Sequence, residues 1–145
     1  MSSFREKLKD LIEFSNIPIK EHAKLSGISQ TSLSQWTRFD IIPETKNIIR
    51  IAKYFQCPVD YFLDLTEETK IRFSDNPVPC SERLKALINE KNITQYKASK
   101  ELHIETAMMT DWIKYGTLPS FDNLILLADY FKCSADYLLG ISDSK

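Results

Sequence analysis

Residues 16–36 have the sequence NIPIKEHAKLSGISQTSLSQW, which predicts a helix, a tight turn and a second helix. In the first helix, Ile19, His22 and Ala23 fall on one face at the i, i+3, i+4 spacing. Gly27 follows as the residue type that best tolerates a positive φ, and it marks the end of that helix. The spacing therefore predicts a helical hairpin.

The second helix of the hairpin is predicted to have Ser29 as its N-cap. Leu33 and Trp36 point inward together at the i, i+3 spacing. The outward side chains are then polar: Gln30, Thr31, Ser32, Gln35 and Arg38. Such a face suits base edges in a DNA major groove, because Gln can bond adenine bidentately and Ser or Thr can bond either base type. The alternative, which composition alone favours, is an ordinary hairpin whose polar face is only solvated.

The whole chain has the composition of a globular protein, 43% hydrophobic and 27% charged over 145 residues. That length fits one ordinary domain or two small ones. No apolar run approaches the ~18 to 20 residues of a membrane span, and no apolar signal segment opens the chain, so a cytoplasmic location is expected. Cys57, Cys80 and Cys133 lack C-x-x-C spacing, which suggests neither a disulfide framework nor a zinc site.

Neither the net charge nor the reactive side chains point to a ligand by themselves. Nineteen Lys and Arg against twenty Asp and Glu give −1, whereas a nucleic-acid binder more often has a basic surplus. His22 and His103 lie far apart, and no glycine-rich loop or metal-ligand spacing occurs. We expect no enzyme activity, no cofactor and no metal, with His22 as a semi-buried core residue.

Shifting the sequence by 76 residues aligns its two halves without gaps. Trp36 then falls on Trp112 and Pro43 on Pro119, and about 20 of roughly 60 aligned positions are identical. The endings match best, AKYFQCPVDYFL over ADYFKCSADYLL. The chain is therefore predicted to be two copies of one module.

The turn glycine, the cap and the two inward apolar residues, together with the Cys-x-x-Asp-Tyr-x-Leu ending, resemble the Cro/phage-repressor (XRE-like) helix-turn-helix family. The resemblance implies an all-α protein of two tandem five-helix, lambda-repressor-like DNA-binding domains. Module 1 is assigned residues 1–65, the linker 66–79 and module 2 80–145. The predicted helices are 3–15, 19–26, 29–38, 44–56 and 58–64 in module 1, and 80–91, 94–102, 105–114, 120–132 and 134–139 in module 2.

The linker carries charges, turn residues and two prolines. Fully extended, it would span about 46 to 50 Å, which exceeds the ~34 Å between half-sites one DNA turn apart. Ile71–Phe73 docking on a module would shorten that reach.

Several positions depart from the family's pattern. Family members commonly pair an Arg near the end of the first helix with a Glu after the third, and these slots hold Ile12 with Thr37, and Ile88 with Ile113. His103 replaces the turn glycine of module 1, which implies a strained or reshaped turn in module 2.

The two copies differ most on the outward face of the third helix. Base reading is expected in module 1 from Ser29, Gln30, Thr31, Ser32 and Gln35. In module 2 these become Glu105, Thr106, Ala107, Met108 and Asp111. Two carboxylates facing phosphates impose repulsion, so module 2 should bind DNA poorly. Met108 and Asp111 are candidates for a protein interface, since an exposed thioether often marks one; a partly exposed Met without a role is the alternative.

Phosphate contacts are expected from helix N-termini and nearby basic or polar groups. Lys20, Arg38 and Lys46 are the candidates in module 1. Gln95 is the candidate in module 2, because the family uses this residue type for phosphate at that place. Any of the basic side chains could instead be a plain solvated charge.

Together these observations predict a sequence-specific DNA-binding transcriptional regulator of bacterial or prophage type. Its partners would be a double-stranded DNA operator and a second copy of the chain, with no membrane and no metal involved. Module 2 would supply dimerisation or partner binding. The alternative is a non-DNA-binding adaptor, antirepressor or antitoxin built from repurposed modules, which the near-zero net charge and the acidic face of module 2 favour.

Overall fold

The computed structural model describes residues 3–145, and within that range the chain forms ten helices and no strand. It divides into two compact units, the first ending at Ile71 and the second beginning at Arg72. Unit 1 contains α1 (Phe4–Ser15), α2 (Ile19–Ser26), α3 (Gln30–Arg38), α4 (Thr45–Phe55) and α5 (Val59–Phe62). Unit 2 contains α6 (Cys80–Glu90), α7 (Gln95–Glu101), α8 (Thr106–Lys114), α9 (Phe121–Phe131) and α10 (Ala135–Leu138). Across residues 3–145, no helix has the length and apolar character needed to cross a membrane.

The helix ends follow from their caps. Ser29 Oγ accepts a hydrogen bond from the Ser32 N–H, as predicted, and Thr94 and Ser120 cap α7 and α9 in the same way. Pro58 was predicted to start the fifth helix and instead lies at the N-cap position, so α5 begins at Val59. The predicted extension of α5 to residue 64 is wrong, because Asp64 adopts a left-handed φ of 59°.

Each unit packs its helices around large apolar side chains contributed by the first, fourth and fifth helices. In unit 1, Leu8, Ile48 and Phe62 are fully buried. In unit 2, Leu84, Leu124 and Leu138 take the matching positions and are also fully buried. The 3.6-residue periodicity therefore identifies the core faces of these helices.

A cation on the first helix of each unit contacts the tyrosine of the closing Asp-Tyr pair. Lys7 Nζ lies 4.3 Å from the centre of the Tyr61 ring and 3.0 Å from Asp64 Oδ1. In unit 2, the Arg83 guanidinium lies 3.8 Å from the centre of the Tyr137 ring. These contacts attach the short last helix to the first one by a cation–π interaction.

The predicted linker is shared between the two units. Thr69, Lys70 and Ile71 line a groove on unit 1. In unit 2, the Ser74 N–H donates to the Ile141 carbonyl at 2.7 Å, and Gly140 lies against the Val78 carbonyl. The fully extended reach of this segment would therefore require these contacts to break.

Candidate nucleic-acid interface

The turn between α2 and α3 fixes the direction of α3. Gly27 has a φ of 75°, and its N–H donates to the Ala23 carbonyl at 3.0 Å. The Arg50 guanidinium on α4 donates to the Gly27 carbonyl at 3.1 Å. Leu33 and Trp36, on the inner side of α3, are buried. Because one side of α3 is held in the core, its other side must face solvent.

The outward side of α3 carries the five side chains predicted to read bases, but they are not equally available. Ser29 Oγ accepts from the Ser32 N–H at 3.1 Å and donates to Ser32 Oγ at 2.9 Å, so both hydroxyls are engaged in the cap. Gln30, Thr31 and Gln35 are exposed and make no side-chain hydrogen bond to a residue in the described range. The hydrogen-bonding capacity of this face is therefore concentrated in two amides and one hydroxyl.

The spacing of the two glutamines matches that of stacked bases. Five residues at ~1.5 Å each separate Gln30 from Gln35 by about 7.5 Å along the α3 axis. Two base-pair steps of B-DNA span about 7 Å. Thr31 lies on the same face as Gln35, one turn away. Five residues also turn the helix by about 140°, so Gln30 and Gln35 lie on the two flanks of its exposed side. An α3 lying in a major groove would present them to bases about two steps apart.

Positive charge around α3 is modest and unevenly available. Lys20 and Arg38 are exposed and make no ion pair within the described residues. Lys46 Nζ lies 3.5 Å from Glu44 Oε2, so part of its charge is already balanced. Residues 18–46 contain four basic and three acidic side chains. The available cations on this surface are therefore few, and among the predicted basic phosphate contacts Lys20 and Arg38 are the two without an ion pair in the described part of the chain.

The N-terminus of α2 adds two backbone donors. The Glu21 and His22 N–H groups bond the Pro18 carbonyl. The Ile19 and Lys20 N–H groups lie in the first turn of α2, where no preceding helical carbonyl can accept from them, so they remain available. Donors of this kind at a helix N-terminus suit a phosphate.

The positions of the family's usual ion pair face one groove of about 490 Å³ on unit 1. Ile12 and Thr37 both line it, beside Arg5, Lys9 and Arg38. Thr37 Oγ1 donates to the Leu33 carbonyl at 3.1 Å and to the Ser34 carbonyl at 3.0 Å. The threonine therefore bonds its own helix, and these two side chains cannot form an ion pair. In unit 2 the matching Ile88 and Ile113 are both buried.

The matching face of unit 2 is acidic and partly apolar. Its exposed side chains are Glu105, Thr106, Ala107, Met108 and Asp111. Glu105 occupies the N-cap of α8 without making a side-chain cap bond. Residues 94–122 contain three basic and four acidic side chains, the reverse of the balance in residues 18–46. This face therefore repels phosphate more than the face of unit 1 does.

Two further predictions concern unit 2. Gln95 is half-buried, and its Nε2 donates to Thr110 Oγ1 at 3.1 Å, so part of its amide is already used. The strained or reshaped turn expected at His103 is found. His103 adopts a left-handed φ of 57°, which is uncommon for a residue other than glycine. Its N–H donates to the Lys100 carbonyl, three residues back, whereas the Gly27 N–H donates to the Ala23 carbonyl, four residues back.

Sequence reasoning did not identify an exposed apolar loop that follows α3. Phe39, Ile41 and Ile42 are 55%, 48% and 48% exposed. The loop lies directly after Arg38, and the only sequence signal was three large apolar residues outside any helical period. This loop forms an apolar surface beside the end of α3.

His22 is a core residue, although it is more deeply buried than expected. Its Nε2 lies 2.7 Å from Ser15 Oγ and its Nδ1 lies 2.7 Å from the Tyr54 hydroxyl. Ser15 Oγ donates to the Ile12 carbonyl, so it accepts from Nε2–H, and Tyr54 donates to Nδ1. Burial lowers the pKa of His22 despite the nearby Glu21 carboxylate. Residues 3–145 contain no cluster of side chains suited to holding a metal ion.

Comparison with known proteins gives one family and no individual relative. A family model described as Helix-turn-helix matches residues 8–62 and again residues 84–138. One match falls in each unit, and together they cover more than half of the chain. No curated protein and no solved structure matches the chain.

Proposed function

The chain belongs to the Cro/repressor-type, XRE-like helix-turn-helix family, and we propose that it is a sequence-specific DNA-binding transcriptional regulator of bacterial or prophage type, acting in the cytoplasm. The observation that carries the proposal is the outward face of α3, where Gln30, Thr31 and Gln35 are exposed and uncommitted. Such side chains on a rigid helix suit direct reading of base edges.

Module 1 is proposed to bind DNA through α2 and α3. The α3 helix would lie in the major groove, with the Gln30 and Gln35 amides reading adenines and Thr31 making a further base contact. Ser29 and Ser32 would contribute mainly by holding the start of α3, since their hydroxyls bond one another. Lys20, Arg38, Lys46 and the N-terminus of α2 would contact phosphates and set the register.

Module 2 is proposed to dimerise the chain or to bind a partner. Its acidic α8 face makes phosphate contact unfavourable. If two chains associate, two copies of module 1 can meet a palindromic operator, because a symmetric dimer matches a symmetric site. Gln95 would give module 2 at most a weak contact to the DNA backbone.

The second candidate is an adaptor, antirepressor or antitoxin that binds protein through both modules. The observation that favours it is the acidic and apolar face of α8, together with a net charge of −1. The free side-chain amides of α3 favour the DNA-binding function instead.

Selection from a randomised duplex library tests the proposal. The full chain is bound to the library over several rounds at two salt concentrations, because backbone binding weakens steeply with salt while base preference persists. Enrichment of one motif at both concentrations is expected, with two-fold symmetry if the chain dimerises. If no motif is enriched at either concentration, sequence-specific DNA binding is contradicted and the protein-binding candidate is favoured.

A further inference from the structure

One face of module 2 carries apolar side chains where the matching face of module 1 is polar. The 76-residue shift pairs Ser32 with Met108 and Arg50 with Leu126. Met108 is 39% exposed and Leu126 is 46% exposed. Two large apolar groups thus face solvent where module 1 has a hydroxyl and a guanidinium.

These two side chains belong to one continuous surface. Asn123 Nδ2 on α9 donates a hydrogen bond to Met108 Sδ on α8 at 3.4 Å, which brings the two helices together here. Asn123 and Leu126 are three residues apart in α9 and so lie on one side of it. We call Met108, Asn123 and Leu126 the α8–α9 strip.

Three carboxylates border the α8–α9 strip. Glu105 and Asp111 lie three residues before and three after Met108, which places them along the same side of α8. Asp122 lies four residues before Leu126 on α9. All three carboxylates are exposed, and none is ion-paired to a residue between positions 3 and 145. Their charge is therefore available to an incoming group.

We propose that the α8–α9 strip and its three carboxylates form a docking site for a basic amphipathic segment of another protein. An apolar side chain of that segment would seat against Met108 and Leu126, and flanking Lys or Arg would meet Glu105, Asp111 and Asp122. The inference rests on the proposed role of module 2 as the partner-binding half of the regulator.

The same charges disfavour the other two occupants. DNA would bring phosphates against three carboxylates. A second copy bound symmetrically through this face would set the carboxylates of both chains against each other, because a two-fold interface uses the same patch on each side. A cationic protein segment has the complementary charge and can also bury the apolar strip.

Selection from a displayed library of random peptides, with the immobilised full chain as bait, tests the proposal. The first variant, Met108→Ser with Leu126→Arg, installs the residues of module 1 at two exposed positions. The second replaces Glu105, Asp111 and Asp122 each by Lys. The control is Phe14→Ser, which removes a 91% exposed apolar side chain from module 1. Far-ultraviolet circular dichroism verifies that each variant keeps its helices.

The full chain should enrich peptides that carry an apolar residue with Lys or Arg on both sides. The first variant should bind an enriched peptide about tenfold or more weakly, the charge-reversed variant should select acidic peptides, and Phe14→Ser should behave as the parent. The proposal would be overturned if the enriched peptides bound the first variant as tightly as the parent. It would also be overturned if the enriched peptides carried no basic residues. Self-association of the parent that disappears in the first variant, measured by sedimentation equilibrium, would overturn it in favour of a second copy. No DNA is present, so this outcome is independent of the duplex selection.

Discussion

Replacing Gln30 and Gln35 together by alanine should remove operator preference while leaving module 1 folded. Both side chains are exposed and make no hydrogen bond within the described residues, so their truncation breaks no contact that holds the fold. Alanine also has the higher helix propensity at both positions. Any loss observed in binding is therefore a loss of contacts to DNA.

The expected size of the loss follows from the number of available amides. Each bidentate contact between a glutamine and adenine contributes about 1 to 3 kcal/mol of discrimination, so two contribute about 2 to 6 kcal/mol. At about 1.4 kcal/mol per tenfold, the preference for operator over scrambled duplex should fall by roughly 30-fold to 10⁴-fold. Non-specific affinity should persist, because Lys20, Arg38 and the start of α2 are unchanged.

Competition binding followed by fluorescence anisotropy measures both affinities for the full chain. The matched control is Glu105→Gln with Asp111→Ser in module 2, which should not reduce operator preference. Base reading by Gln30 and Gln35 is refuted if the alanine variant keeps its operator preference. It is also refuted if only the module 2 variant loses it, since the roles of the two modules would then be reversed.

Three further predictions concern charge, packing and pH. Lys20→Ala and Arg38→Ala should each lower the slope of log affinity against log salt by about 1 in anisotropy titrations; unchanged slopes would argue against phosphate contacts. Gly140→Ala should destabilise module 2 by about 2 kcal/mol more than Gly116→Ala in urea unfolding. Both glycines have a left-handed φ, but only a Cβ on Gly140 would meet a backbone carbonyl. Equal losses of stability in the two variants would refute this prediction. His22→Ala should lower the free energy of unfolding of module 1 by about 2 to 4 kcal/mol, and it should remove the loss of stability at acidic pH. Burial lowers the folded-state pKa of His22 below 6.5. The stability that neutral His22 contributes to the parent should therefore be fully present above pH 6.5 and be lost as the pH falls through the lowered pKa. Urea unfolding at about pH 5 and about pH 8 measures this, and an unchanged pH dependence in the variant would contradict the assignment.

The helices could be predicted because their signals are local. The inward spacing of Leu33 and Trp36, the cap at Ser29 and the glycine at position 27 all act within a few residues, and the structure has each of them where the sequence indicated. The internal repeat added independent support, since the same pattern recurs 76 residues later. Local physical rules, applied twice, therefore sufficed for the order and approximate ends of the elements.

Contacts between distant residues could not be predicted in this way. Tyr54 bonds His22 across 32 positions, and no local pattern pairs them. The hydrogen bond that Ser29 Oγ donates to Ser32 Oγ was also missed, because both hydroxyls were expected to read bases even though Ser29 was predicted to cap α3. The docking of residues 74 and 78 on unit 2 depends on Gly140 and Ile141, far along the chain. Availability of a side chain for a ligand is thus settled by tertiary contacts.

Base reading by the Gln30 and Gln35 amides can be observed in a nuclear magnetic resonance titration of the full 16.8 kDa chain with its selected duplex and with a scrambled one. Backbone and glutamine side-chain amide signals are followed together. The selected duplex should strongly shift the Gln30 and Gln35 side-chain amide signals and the α2–α3 backbone signals, whereas the scrambled duplex should shift mainly the start of α2. Signals of α8 should move little with either duplex. Strong shifts in α8 with an unperturbed α3 would contradict base reading by module 1.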